Sequence, residues 1–165
     1  VTYRYTVHAT PIGAAVAVFA DDAIVALGTA EEPLWVVEAV ARELRGDLRA
    51  ERTDIAGLGA QIGEYFRGDR TGFDVEIDWR LARGFARDAL QAVCRVPYGE
   101  TTSYGDVAAM AGRPRAARAV GTACRLTPLT LVVPVHRIIR SDGSLGEYGG
   151  REHIKQQLID LERRR

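Results

Sequence analysis

Cysteine is scarce in this chain, with two in 165 residues, Cys94 and Cys124. Two are too few for a disulfide framework or a four-cysteine zinc site, so neither a stapled secreted fold nor a structural zinc module is expected. Histidine is scarce as well. No metal-ligand spacing joins His8, His136, His153 and the carboxylates, and no metal or other cofactor is expected. No glycine-rich phosphate loop leads into a helix, which argues against the nucleotide-hydrolysing classes. No apolar run approaches the roughly 20 residues that would cross a bilayer, so no membrane partner is expected. The opening Val1-Thr2-Tyr3-Arg4-Tyr5 alternates like a strand and does not read as a signal peptide. Internal repeats and low-complexity segments are absent, and a reducing cytosol is the expected setting.

What is present is ordinary in amount and uneven in placement. Apolar residues make up 47% and charged residues 27%, as in a globular protein with one good core or two small ones. The net charge of zero hides an asymmetry. Residues 1–80 carry 8 Lys+Arg against 14 Asp+Glu, a balance of −6, and residues 81–165 carry 14 against 8, a balance of +6. The second half is therefore the half drawn to a polyanion, although a solvated charged surface is the plainer reading. Its cations are almost all arginine, the residue suited to bidentate phosphate contacts.

Along the chain, Thr2–Thr10, Ala14–Ala20 and Ala23–Gly28 read as strands separated by tight turns at Pro11-Ile12-Gly13 and Asp21-Asp22. Pro33 opens a helical pattern with Leu34, Val37, Val40, Ala41 and Leu44 on one stripe. Residues 46–54 read as loop, Ile55–Phe66 as a second helix, and Phe73–Asp78 as a strand before a bridge at Trp79–Ala82. In the second half a helix over Gly84–Arg95 comes first, with Phe85, Ala89 and Val93 inward. Ser103 then caps Tyr104–Ala111, with Asp106 in the place of a capping-box acid. Gly112-Arg113-Pro114 breaks the chain before Arg115–Leu126, a helix-turn-helix pattern. Tyr148-Gly149-Gly150 is a turn, and Glu152–Arg164 closes as a helix. These elements predict two domains, 1–79 and 80–165, of the α+β class.

The run Val132-Val133-Pro134-Val135-His136-Arg137-Ile138-Ile139-Arg140 has the frame of a reactive-cysteine loop. A proline ends an apolar strand-like run and fixes the direction of the next side chain, and an imidazole beside it could relay a proton to a nucleophile. The residue in that place is Val135, which has neither a proton to lose nor a lone pair. Three further motifs accompany it: Pro97-Tyr98-Gly99-Glu100-Thr101-Thr102-Ser103-Tyr104, Pro114-Arg115-Ala116-Ala117-Arg118-Ala119-Val120-Gly121 and Gly146-Glu147-Tyr148-Gly149-Gly150. Together these make residues 95–150 resemble the DNA-binding domain of the O6-alkylguanine-DNA alkyltransferases, with a looser likeness upstream at Tyr65-Phe66-Arg67-Gly68. Two departures stand out: valine replaces the alkyl-accepting cysteine, and Thr127 replaces an asparagine that braces the acceptor loop.

The resemblance implies a ribonuclease H-like N-terminal domain with a small antiparallel sheet, and a winged helix-turn-helix that docks in the DNA minor groove. It implies DNA contacts from Ser103, Tyr104, Arg115, Ala116, Ala117, Arg118, Gly121 and Arg125. In this picture Arg118 fills the space of an extruded base and Tyr104 crowds the 3′ phosphate. It implies a lesion pocket of Val135, Ile138, Ser141, Tyr148 and Gly149. His136 and Glu162, 26 residues apart, match the proton relay and are expected to remain as scaffold, with no active catalytic residue. Arg137 is expected to form an internal salt bridge or to contact the N-terminal domain. Cys94 and Cys124 are expected to be small buried hydrophobes.

The leading expectation is a non-catalytic, alkyltransferase-like monomer of the cytoplasm, nucleoid-associated in a bacterium. It would bind duplex DNA carrying O6-alkylguanine and pass it to nucleotide excision repair proteins. One alternative is a methylated-DNA-protein-cysteine methyltransferase whose acceptor cysteine was exchanged for valine. Another is a general DNA-binding or regulatory module.

Overall fold

The computed structural model describes residues 2–164. They form two compact units, one running to Leu81 and including Pro128–Thr130, the other made of Ala82–Thr127 and the chain from Leu131 onward.

In the first unit, β1 (Tyr3–Thr10), β2 (Gly13–Ala20) and β3 (Ala23–Ala30) form the expected antiparallel meander. The first turn is tight because the Thr10 hydroxyl donates to the Gly13 carbonyl at 2.6 Å and accepts from the Ile12 N–H at 3.1 Å. Helix α1 (Pro33–Leu44) lies on one face of this sheet, where Val36, Val37 and Leu44 pack against a core of Tyr3, Val16, Val18, Val25, Ala26 and Val40. It comes so close to β3 that a Cβ on Gly28 would sit 3.0 Å from a Val36 methyl. The inward stripe is rotated from the expected one: Leu34 is exposed and Val36 takes part, because the helix starts at Pro33 and its first turn overhangs the sheet.

Three expectations fail in this unit. The polar segment 46–54 contains β4 (Leu48–Ala50), which pairs parallel to Tyr3–Tyr5 and makes the sheet mixed, in the order β3-β2-β1-β4. Its Leu48-Arg49-Ala50 has no period, so its strand state comes from the free edge of β1. The second helix, α2, begins at Leu58, three residues late. Ala56 and Gly57 adopt positive φ, and the Asp54 carboxylate accepts from the Gly59 and Ala60 N–H groups at 2.8 and 3.1 Å, capping the helix from outside. Phe73–Asp78 is extended but is no ladder. The Gln61 amide takes both backbone groups of Asp74, at 2.7 and 3.0 Å, and only an isolated bridge joins Ile77 to Ile24.

The second unit is helical. Helix α3 (Gly84–Val93) packs on α4 (Tyr104–Met110) and α5 (Ala117–Arg125), and Ala89, Leu90, Val93, Val107, Ala108 and Val120 are all buried. Each helix ends inside its expected bounds. Arg115 and Ala116 lie in the turn ahead of α5, because Pro114 and the Arg113–Ala116 hydrogen bond occupy that stretch. Ser103 caps α4 as expected, its hydroxyl accepting from the Asp106 N–H at 3.0 Å. The reciprocal half of the capping box does not form: aspartate is one methylene short of glutamate, and Asp106 accepts from the Thr102 hydroxyl at 3.0 Å.

Between α5 and the histidine the apolar run is not a strand. Leu131 turns it at φ 65°, and Leu129 makes only a single bridge to β3. The segment's regular pairing comes later, where β6 (Ile138–Ile139) runs parallel to β5 (Thr102–Ser103). Beyond β6, Arg140–Arg151 is a turn-rich loop, and no antiparallel hairpin forms there among the described residues. Helix α6 (Glu152–Arg163) then packs back on the turn around His136 through Ile154, Leu158, Ile159 and Glu162.

Candidate functional site

Pro134 sets the local geometry of the site. At φ −80°, ψ 62° it forms an inverse γ-turn, in which the Val135 N–H donates to the Val133 carbonyl at 2.8 Å. One turn of 3₁₀ helix, Val135–Arg137, follows at once. All three of its side chains are buried, Val135 at 3% and His136 at 0% exposure. The turn thus carries an imidazole and a guanidinium into the interior, and both need partners there.

Glu162, from the last turn of α6, supplies them. Its Oε2 lies 2.7 Å from His136 Nε2, and Arg137 donates from Nε to Oε1 at 2.8 Å and from Nη2 to Oε2 at 3.1 Å. The Gly99 N–H adds a weaker bond to Oε1 at 3.4 Å, and Arg137 Nη1 donates to the Val96 carbonyl at 2.8 Å. Arg137 therefore makes the internal salt bridge, the first of its two expected roles. Burial is the main influence on His136 and pushes its pKa down, against the raising effect of Glu162. A neutral ring that donates from Nε2 to Glu162 presents a lone pair at Nδ1. Nδ1 is buried and has no hydrogen-bond partner among the described residues.

A groove of about 650 Å³ runs beside α5 in the same unit. Of the expected DNA-contacting residues, Tyr104, Ala117, Arg118, Gly121 and Arg125 line it. Ser103 sits behind it as the α4 cap, and Arg115 and Ala116 precede it on the turn. Of the expected pocket residues only Ser141 lines the groove. Val135 and Ile138 lie in the packed interior, and Gly149 is exposed on the following loop. The Tyr148 hydroxyl is pushed up to about 12 by burial.

Further residues stand at the site, some of them inside the quoted motifs but without an expected role. Gly105, Thr122, Arg140, Asp142, Gly146 and Glu147 also line the groove. The sharpest omission is Lys155, the chain's only lysine, which is 1% exposed. Its ammonium donates to the Tyr104 hydroxyl at 3.2 Å and to the Glu147 carbonyl at 3.4 Å, and lies 5.5 Å from the Tyr104 ring centroid. Gly146 makes room for this contact: at φ 79°, a Cβ there would fall 2.7 Å from the Tyr104 oxygen. One signal was available, since Lys155 falls among Ile154, Leu158 and Ile159 on the apolar stripe of the last helix.

Burial brings the Lys155 pKa down to about 8, with Arg140 acting in the same direction and Cys124 and Glu152 against it. Between about 8 and the ordinary 10.5 the unfolded chain holds a proton that the folded chain lacks, so this lysine's contribution to stability improves as pH rises through that window. The thiols and Tyr148, whose pKa values are raised, act oppositely, so the comparison must isolate Lys155. Wild type should gain stability relative to Lys155→Met between about pH 7.5 and 10 in thermal unfolding scans. A constant difference would show that the lysine is not held near 8.

The cysteines differ from each other. Cys124 is buried on α5 as expected, its thiol pushed up to about 12 by desolvation. Cys94 is exposed, contrary to expectation, because α3 ends at Val93 and the next residue turns outward. Its sulfur still lies against packed atoms, and desolvation raises it to about 11. Both are protonated thiols near neutral pH, the less reactive form.

Comparison with known proteins agrees with this architecture. Residues 84–164 match the family model described as 6-O-methylguanine DNA methyltransferase, DNA binding domain. The constitutive methylated-DNA–protein-cysteine methyltransferase of Bacillus subtilis is 34% identical over 160 residues, which cover 96% of this chain and 94% of that protein. The chain belongs to the O6-methylguanine DNA methyltransferase family. A family member from Mycolicibacterium paratuberculosis is 49% identical over 109 residues, and the match spans 66% of that protein's length. Among solved structures of the family, the Mycobacterium tuberculosis OGT in complex with DNA superposes with a TM-score of 0.84. It is 34% identical, over 99% of this chain and 93% of that one. The relatives that span the chain are cysteine methyltransferases, so the methyltransferase alternative is better supported than the alkyltransferase-like reading that led the sequence analysis.

Proposed function

We propose that the protein binds duplex DNA carrying an O6-alkylguanine, on the scaffold of a methylated-DNA–protein-cysteine methyltransferase whose acceptor position is held by Val135. The observation that carries this reading is the buried His136–Glu162–Arg137 network immediately after Val135, in the same unit as a groove lined by Tyr104, Arg118 and Arg125. A proton relay that ends at a hydrocarbon can position the loop but cannot create a nucleophile. The chain as it stands therefore holds the lesion and leaves the alkyl group in place. The network persists whether or not the site accepts an alkyl group, since breaking a buried ion pair by removing one partner is strongly destabilising.

In this reading α5 enters the minor groove, and the small Ala117 and Gly121 let its backbone approach the duplex. Arg118, exposed and in the first turn of the helix, takes the place of the flipped base and offsets part of the few-kcal/mol cost of unstacking. We infer with it a ribonuclease H-like first unit and a winged helix-turn-helix second unit whose active-site loop is degenerate. The protein acts as a cytoplasmic monomer that leaves the bound lesion to excision repair.

The test is a binding titration on duplexes with guanine or O6-methylguanine, with intact-mass measurement on the same samples. The expected result is tighter binding to the lesion and no added methyl group. Arg118→Ala should lose about 1–3 kcal/mol on the lesion duplex and less on the unmodified one. Equal losses on both would argue against base flipping, and equal affinity of the unaltered protein for both duplexes would leave a general DNA-binding module.

A further inference from the structure

The groove has a third arginine, Arg140, the last residue of the run that frames Val135. Arg118 and Arg125 stand seven residues apart on α5, about 10 Å along the axis at 1.5 Å per residue. Arg140 lines the same groove from the loop after β6. Its backbone is held on both sides. Ile139, just before it, pairs with Ser103. Its own N–H donates to the Ser144 carbonyl at 3.0 Å, and its carbonyl accepts from the Gly143 N–H at 3.0 Å. The turn is stiffened further by Asp142, whose carboxylate accepts from the Ser144 N–H at 2.9 Å and its hydroxyl at 2.6 Å. Asp142 is thereby engaged within the turn; it attracts Arg140 electrostatically but makes no hydrogen bond to it, and Arg140 is exposed with no side-chain hydrogen bond among the described residues. A cation pre-positioned by a rigid turn loses little backbone freedom when it takes up a ligand.

We propose that Arg140 is a phosphate-contacting residue that grips the sugar-phosphate backbone of the bound duplex from the loop side of the groove. The inference rests on the reading of this groove as a DNA site and extends the interface beyond the helix-turn-helix. A guanidinium fork matches phosphate oxygens, and Ser141 lines the same groove beside Arg140 in sequence. The carboxylates of Asp142 and Glu147 line the groove as well, so its charge is mixed, and Arg140 is the cation that the loop after β6 brings to its lining. Contacts of this kind set the register of the protein on DNA and carry no sequence information themselves.

The experiment measures affinity for unmodified and O6-methylguanine duplexes across a sodium chloride series. It compares wild type, Arg140→Ala, Arg140→Lys and, as a surface control outside the groove, Arg87→Ala. Arg140→Ala should weaken both duplexes by a similar factor, about tenfold at low salt, and reduce the slope of log affinity against log salt by about 0.9. Arg140→Lys should keep the slope because it keeps the charge, and Arg87→Ala should match wild type. An unchanged slope in Arg140→Ala would overturn the assignment while leaving the DNA reading intact. A loss confined to the lesion duplex would overturn it in favour of a base contact. Failure of wild type to bind either duplex would overturn the DNA reading and this inference together.

Discussion

Val135→Cys should convert the protein into a stoichiometric methyl acceptor. Mixed with a duplex containing O6-methylguanine, the variant should gain the mass of one methyl group per chain, and the unaltered protein should gain none. Position 135 follows an inverse γ-turn that fixes its direction, and the next residue is a neutral, buried imidazole hydrogen-bonded to Glu162. A thiol placed there has a base close by in sequence and space, and the thiolate is the nucleophile. Desolvation raises the existing thiols, Cys94 to about 11 and Cys124 to about 12, which leaves both mostly protonated near neutral pH. Valine to cysteine removes about one methyl group from a packed position, which should cost roughly 1 kcal/mol. Adding Glu162→Gln to the cysteine variant should slow transfer by about 10²-fold or more. A cysteine variant that binds the lesion duplex but never gains mass would show that the pocket, with Thr127 in place of asparagine, has lost its reactive geometry. A methylated wild-type chain would remove the basis of the whole reading.

Glu162→Gln alone should be strongly destabilising, by about 3–5 kcal/mol. Glu162 is 3% exposed and accepts from His136, twice from Arg137 and from the Gly99 N–H. The amide keeps the shape but removes the charge, leaving the Arg137 guanidinium, 8% exposed, without a counter-ion. One of the amide's polar atoms also becomes a donor facing donors. Urea unfolding followed by circular dichroism would measure the loss as a lower midpoint. A double variant with Arg137→Gln should recover part of it, because the buried charge goes too. A loss below about 1 kcal/mol would mean that Glu162 does not anchor the loop.

Much of the fold could be read locally. The three-strand meander followed from alternation and two tight turns, and the Ser103 cap followed from a hydroxyl three residues ahead of Asp106. Failures came where a distant group replaced a local preference. Gln61 took the hydrogen bonds of Asp74 and kept Phe73–Asp78 out of the sheet, and the free edge of β1 made a strand of Leu48–Ala50. At the site, the motifs named Tyr104, Arg118 and His136, but Lys155 belonged to no motif and Arg140 ended one without an expected role. Lys155 reaches Tyr104 across 51 residues, and Arg140 sits on a turn held by Ser144.

By itself, the sequence determined what position 135 can never do, since the absence of a lone pair is a property of valine in any fold. It also determined which half carries the excess of arginine and where the helix-turn-helix breaks. Only the tertiary structure decided that the carboxylate paired with His136 also neutralises Arg137, and that α5 and a loop beginning 15 residues beyond it share one groove. The physical reason is the range of the forces involved. Side-chain chemistry and turn geometry act within a few residues, whereas a buried charge takes whichever partner the packed chain brings within 3 Å.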